Sequence, residues 1–189
     1  MEKLAALVIC WLAMVMPMGQ CSIEGPEEVY NWFHKLPYAE EKVSKLHFYF
    51  HDALSGKNPT AVRVAQASGS AKSPTFFGVV FVIDDPLTEG PEATSKELGR
   101  AQGLYGSDGK EEVSLLMAMD FVFTSGKYNG SSLTVLGRNP VFHPLREMPI
   151  IGGTGVFRLA RGIATVKTRS LNTTTGDAIA EYHVVVIHY

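Results

Sequence analysis

From Lys45 onward the chain alternates: Leu46, Phe48 and Phe50 fall on one parity, His47, Tyr49 and His51 on the other. Period two is the pattern of a strand with one face in a core and the other in water. It recurs at 60–67, 76–83, 98–105, 113–124, 132–136, 155–167 and 178–188, making eight strand candidates with the first. Turn chemistry separates them: Ser55-Gly56, Asp85-Pro86, Ser107-Asp108-Gly109, Tyr128-Asn129-Gly130 and Thr175-Gly176-Asp177. Residues 23–44 are charged and irregular, and Pro26 and Pro37 confine any helix there to a short piece around Glu27 to Lys35. The fold class predicted is all-β, an antiparallel barrel or sandwich; an eight-stranded barrel is wide enough for one small ligand.

The first residues follow another pattern. Glu2 and Lys3 precede an apolar run from Leu4 to Met16, and small or weakly polar residues follow Pro17, which are the three parts of a secretory signal peptide. The run is shorter than the roughly 20 residues needed to cross a bilayer, so it predicts export rather than an anchor. The expected organisation is a signal at 1–22, an N-terminal arm at 23–44 and the strand-rich domain at 45–189, released to the extracellular space. Of the two cysteines, Cys10 lies in the signal and Cys21 at the cut, so no internal disulfide is expected and a packed core must hold the fold. One Lys and one Glu in 1–22 cancel, leaving the mature chain its formal charge of −2, which favours neither nucleic acid nor anionic membrane as partner. The sequons Asn129-Gly130-Ser131 and Asn172-Thr173-Thr174 lie in polar, turn-like stretches of an exported chain, making Asn129 and Asn172 candidate glycosylation sites.

Parity also picks out candidate chemistry. Asp52 continues the face of Leu46, Phe48 and Phe50; either the strand ends at His51 and Asp52 opens a turn, or a carboxyl stands at the end of an apolar face, where burial makes it a usable acid or base. Gly99, Ala101 and Gly103 share a face with Tyr105: either they leave room beside the phenol for a planar ligand, or they accommodate a twisted strand. Arg146 follows an irregular stretch, 137–145, and precedes Gly152-Gly153-Thr154-Gly155; it reads as a loop arginine, either solvated or holding an anionic oxygen at a barrel mouth. The glycine cluster lacks nucleotide-loop spacing and reads as a bend. The six histidines form no compact ligand motif, His47 and His51 sharing only the face opposite the apolar one, so neither a metal nor another cofactor is expected.

Four ordered blocks, Phe48-Tyr49-Phe50-His51-Asp52, Gly99-Arg100-Ala101-Gln102-Gly103-Leu104-Tyr105, the run from Arg146 to Gly155, and Ala160-Arg161-Gly162-Ile163-Ala164-Thr165, resemble the plant dirigent family over nearly the whole mature chain. The resemblance implies an eight-stranded antiparallel barrel with a central apolar ligand cavity, secreted to the apoplast and commonly a homo-oligomer, dimer or trimer. It implies a phenolic ligand of phenylpropanoid or isoflavonoid type, handled as a quinone methide, with no oxidising centre in the protein. Lignan-forming members steer the coupling of phenoxy radicals supplied by a laccase or peroxidase; legume members are isoflavanol dehydratases, the pterocarpan synthases. Carried across, Asp52, Tyr105 and Arg146 take catalytic places, and Thr165 and Asn139 line the ligand site. Asn139 holds the place of an aspartate in the lignan-forming group, which brings the dehydratase branch forward. A non-catalytic ligand-binding protein of the cell wall is the third reading.

Overall fold

The computed structural model describes residues 25–189; the expected signal at 1–22 lies outside the described residues. The described residues fall into two units, divided between His34 and Lys35, the second being Lys35–Tyr189. Helix α1, Pro26–Lys35, is the short helix the prolines allow, with Glu27 and Glu28 in its first turn and the Gly25 N–H donating to the Glu28 carboxylate at 3.1 Å. Among the described residues no helix is long and apolar enough to cross a membrane.

The second unit holds nine strands: β1 (Lys42–Asp52), β2 (Ala61–Gln66), β3 (Val79–Thr88), β4 (Glu97–Ser107), β5 (Leu115–Phe123), β6 (Ser132–Asn139), β7 (Arg146–Thr154), β8 (Arg161–Leu171) and β9 (Ala178–His188). All pairings are antiparallel, in the order β1-β9-β8-β7-β6-β5-β4-β3, and a short ladder between β1 and β3 closes these eight into a barrel. β2 lies outside the closure, along the first half of β3. The barrel therefore has the expected number of strands with a different membership, because β2 is an addition and β7 is a strand that the period-two pattern does not predict, its glycine end alone reading as a bend. Pro149 and paired glycines hid β7. Pro149 brings no N–H, and the ladder from β6 stops one residue before it, at Val135–Ile150. The predicted segment 155–167 likewise splits into a 3-10 turn, Gly155–Phe157, and the start of β8.

β3 carries a second departure from the sequence reading: Asp85-Pro86 is not a turn but lies inside the strand, paired with Ala101 and Arg100 of β4. β3 changes partner there, from β2 at Val79–Ile83 to β1 at Leu87–Thr88. The Asp84 N–H reaches the Thr60 carbonyl on that edge at 2.9 Å; Pro86, two residues on, faces the same edge where no ladder runs, so its missing donor costs nothing.

Inward residues alternate with outward ones around the wall. Phe48, Phe121, Tyr182, Phe157, Leu133 and Met148 are among the largest fully buried side chains. Phe48 stacks on Tyr182 at 5.7 Å and meets Phe121 edge-on at 4.9 Å, which concentrates the apolar stabilisation in aromatic contacts. Gly99 and Gly103 of β4 do not leave open space: a Cβ at Gly99 would stand 2.0 Å from the Val122 carbonyl oxygen, and one at Gly103 2.3 Å from that of Ala118. They are required by the close approach of β5.

Candidate functional site

The end of β1 and β4, the end of β6 and the start of β7 meet at one end of the barrel, and four of the five proposed site residues stand there facing inward. β1 runs through Asp52, so the carboxyl continues the face of Phe48 and Phe50 and does not open a turn. Tyr105, buried against Phe81 at 5.2 Å, donates its hydroxyl to Asp52 Oδ2 at 3.0 Å. Asp52 Oδ1 is buried and has no hydrogen-bond partner. Burial pushes the Asp52 pKa up to about 7, against the opposing effect of the Tyr105 bond and with help from the charge of Asp177. Burial, and then the neighbouring Asp52, hold the Tyr105 hydroxyl protonated.

Asp177 also fixes where Asp52 ends. Its Oδ1 accepts the N–H groups of Leu54 and Ser55 at 2.8 and 2.9 Å, and its Oδ2 the hydroxyls of Ser55 and Thr175 at 2.5 and 2.8 Å. The turn after β1 is thereby tied to the β8–β9 hairpin, and these bonds keep the Asp177 pKa low.

Arg146 is not a loop residue. It opens β7, buried to 5% exposure, in register with Val166, which pairs with Tyr182, which pairs with Phe48. Its Nη1 donates to the Val141 and His143 carbonyls, both at 3.2 Å, and to the Thr168 hydroxyl at 2.8 Å, while Nε has no partner. Among the described residues it makes no ion pair. Burial of this uncompensated charge lowers its pKa. Asn139 ends β6, buried, with Oδ1 unpartnered. Extending the Val135–Ile150 register places it opposite Arg146.

Thr165 requires a correction. It alternates with the buried Ala164 and Val166 and pairs with Glu147 and His183, so it belongs to the outer wall. The hydroxyl on the inward parity is that of Thr168, three residues on, exposed near the end of β8 and bonded to Arg146, which the parity of Ala164 and Val166 indicates. The sequence reading also passed over Asp85. It lies on the inward parity of Phe81, Ile83 and Leu87, is fully buried, and receives the Thr60 hydroxyl on Oδ1, with Oδ2 unpartnered. Burial, and next the charge of Asp52, push its pKa up to about 8. Four orphaned polar atoms thus face inward on this part of the wall: Asp52 Oδ1, Asp85 Oδ2, Asn139 Oδ1 and Arg146 Nε. Buried polar groups seldom go unpaired, and a polar ligand would satisfy them.

Two other features lie on the outer wall. An open depression between β2 and β3 is lined by Thr60, Val62, Val82 and Arg100 and by none of the residues that carry the four orphaned atoms. His47 and His183 stack at 4.4 Å beside Glu181, and their ligand atoms lie within 4.8 Å of one another, a grouping the linear spacing of histidines did not reveal. Glu181 is already held by Arg169 at 2.7 Å, His47 at 2.9 Å and Tyr49 at 3.1 Å, which push its pKa down to about 2. Asn129 and Asn172 are both exposed.

Residues 43–187 match the family described as Dirigent-like protein. Dirigent protein 23 of Arabidopsis thaliana is 48% identical over 99% of this chain and 98% of its own length. Pterocarpan synthase 1 of Glycyrrhiza echinata is 51% identical over 82% of each chain. The solved structure of the pterocarpan synthase dirigent protein GePTS1 superposes with a TM-score of 0.76 at 51% identity, covering 80% of this chain and 87% of its own. Family match, identity and barrel agree: the chain belongs to the dirigent family.

Proposed function

We propose that the barrel binds a phenolic at the end where Asp52, Tyr105, Asn139 and Arg146 converge, and that Asp52 expels a benzylic hydroxyl as water to leave a quinone methide. The observation that carries this reading is a carboxyl on the inward face, buried enough to hold its proton near neutral pH, with one oxygen fixed by Tyr105 and the other without a partner. The C–O bond breaks, the Asp52 proton leaves with the hydroxyl as water, and a conjugated phenol oxygen supplies the electron pair and releases its own proton. A second hydroxyl of the same substrate then adds to the electrophilic carbon. Its proton restores the acid form of Asp52, the phenol oxygen regains a proton, and the net change is loss of one water. Arg146, a buried cation bonded here to neutral oxygens, suits the phenol oxygen as negative charge builds on it. The apolar wall excludes competing water. The name pterocarpan synthase, borne by relatives near 50% identity, favours this reaction.

Steered coupling of phenoxy radicals, supplied by an external oxidase, is the second reading; the same groups would orient two phenols. The neutral Asn139 ranks it second, since lignan-forming members carry a carboxylate in that place. Under either reading the chain is secreted to the apoplast and glycosylated at Asn129 and Asn172. It assembles as a homo-oligomer through its outer wall, where Val62, Val82, Leu104, Leu136, Ile163 and Val185 are exposed.

The test uses the secreted protein in two reactions: an isoflavanol without oxidant, and coniferyl alcohol with a one-electron oxidant, both resolved on a chiral column. Ring-closed product in the first and racemic dimers in the second are expected. Unchanged isoflavanol with enantiomerically enriched dimers would reverse the ranking.

A further inference from the structure

We infer that Asp85 is a positioning residue that acts with Asp52 as one electrostatically coupled pair of carboxyls, Asp52 meeting the substrate and Asp85 keeping its own proton. The inference rests on the acid role of Asp52 proposed above. It starts from register. The closing ladder pairs Tyr49 with Thr88 and Phe50 with Leu87, so the next inward residue of each strand is Asp52 on β1 and Asp85 on β3, facing each other where the strands part. The surroundings of Asp85 are apolar: it pairs with Ala101, which pairs with Phe121, which pairs with Leu133.

Asp85 is also wired to the backbone that follows Asp52. The Ala53 N–H donates to Thr60 Oγ1 at 3.2 Å, and the Thr60 hydroxyl donates to Asp85 Oδ1. Each carboxyl then has one oxygen engaged, by Tyr105 or by Thr60, and one buried oxygen without a partner. Among nearby charged groups Arg100 opposes the rise at Asp85 without outweighing burial and the Asp52 charge. Arg100 faces outward and is engaged by Asp84 and Glu97, and Asp177 is an additional anion held by the turn. Two like charges in such a place cannot both form readily, so the second proton stays when the first leaves. The order follows from exposure: Asp52, partly exposed, ionises first, and the fully buried Asp85, its pKa raised by burial and then by the Asp52 charge, follows. After Asp52 has protonated a leaving hydroxyl, its anion faces a neutral acid rather than a second anion. This is what allows the carboxyl to give up its proton inside an apolar wall.

The test is an NMR titration of the full mature chain with 13C-labelled aspartate carboxyls, from pH 4 to pH 9. Two carboxyls titrating well above the ordinary range are expected, the higher one disappearing in Asp85→Asn. In Asp52→Asn, which leaves the buried position untouched, the Asp85 midpoint is expected to fall by about one pH unit as the like charge goes. An Asp85 that titrates in the ordinary carboxylate range, or whose midpoint ignores Asp52→Asn, overturns the inference. This readout needs no substrate, so it fails separately from the dehydration reading. Where isoflavanol turns over, Asp85→Asn is expected to lower kcat at unchanged KM and to shift the alkaline limb of the pH profile; an unaltered profile also overturns it.

Discussion

Replacing Asp52 by Asn should make the protein less sensitive to alkali while abolishing isoflavanol turnover. The carboxyl moves from an ordinary value of 3.8 to about 7 on folding. The native state therefore binds more protons than the unfolded chain, and its stability falls as pH rises through this window. At about 1.4 kcal/mol per pH unit, burying Asp52 costs about 4 kcal/mol once both states are ionised. About 2.5 kcal/mol of this falls between pH 5 and pH 8. Asn keeps the shape, accepts the Tyr105 hydroxyl and does not titrate. For a domain of this size about 2–4 °C of Tm accompanies each kcal/mol, so the variant-minus-wild-type difference in Tm should rise by about 5–10 °C from pH 5 to pH 8. Using the difference cancels every titrating group that the substitution leaves alone; Asp85, whose midpoint falls when the like charge goes, adds up to about 1 kcal/mol in the same direction. The assay is calorimetry or fluorescence melting across that range, with turnover measured on the same samples. A difference that stays flat with pH would show that Asp52 ionises as freely in the folded protein as in the unfolded chain, and the acid role would go with it.

Further outcomes are expected at its neighbours. Tyr105→Phe removes the bond that lowers the Asp52 pKa, so the carboxyl should titrate higher still, read from the alkaline shift of the pH–stability difference. Thr168→Ala deletes the 2.8 Å bond to Arg146 and should cost about 1 kcal/mol in denaturant unfolding and reduce turnover, whereas Thr165→Ala, on the outer wall, should leave turnover near wild type. Asn139→Asp sets a carboxylate opposite Arg146; its Tm at pH 7 should rise by an amount corresponding to about 1 kcal/mol, and product analysis with coniferyl alcohol and oxidant should move towards one enantiomer.

Much of this architecture was legible in linear order because one-sided burial writes itself as period two. Phe48, Phe50 and Asp52 form such a series, and reading through the apparent end at His51 finds the site carboxyl. What hid the rest was local chemistry overruled by tertiary context. Asp85-Pro86 has turn composition, yet it lies in the gap where β3 exchanges β2 for β1, and a residue without an N–H fits that gap. Pro149 and the glycines after it conceal a strand whose neighbours supply the pairing that its own composition does not favour. Thr165 was assigned by position in a matching block, and only the parity set by Ala164 and Val166 separates it from Thr168. The convergence of Asp52, Asp85 and Arg146 comes from strands far apart in sequence, which no spacing rule encodes.

The seam between β1 and β3 gives the barrel one further property. It is closed by two residue pairs, while neighbouring seams carry many more, and the two protonatable carboxyls sit at its fork. Parting those pairs would admit water to Asp52 and Asp85 together and return both towards ordinary acidity. Acid strength in this protein is thus a gauge of closure: the proton is held only while the fork is shut, and a breathing motion at the seam would discharge it.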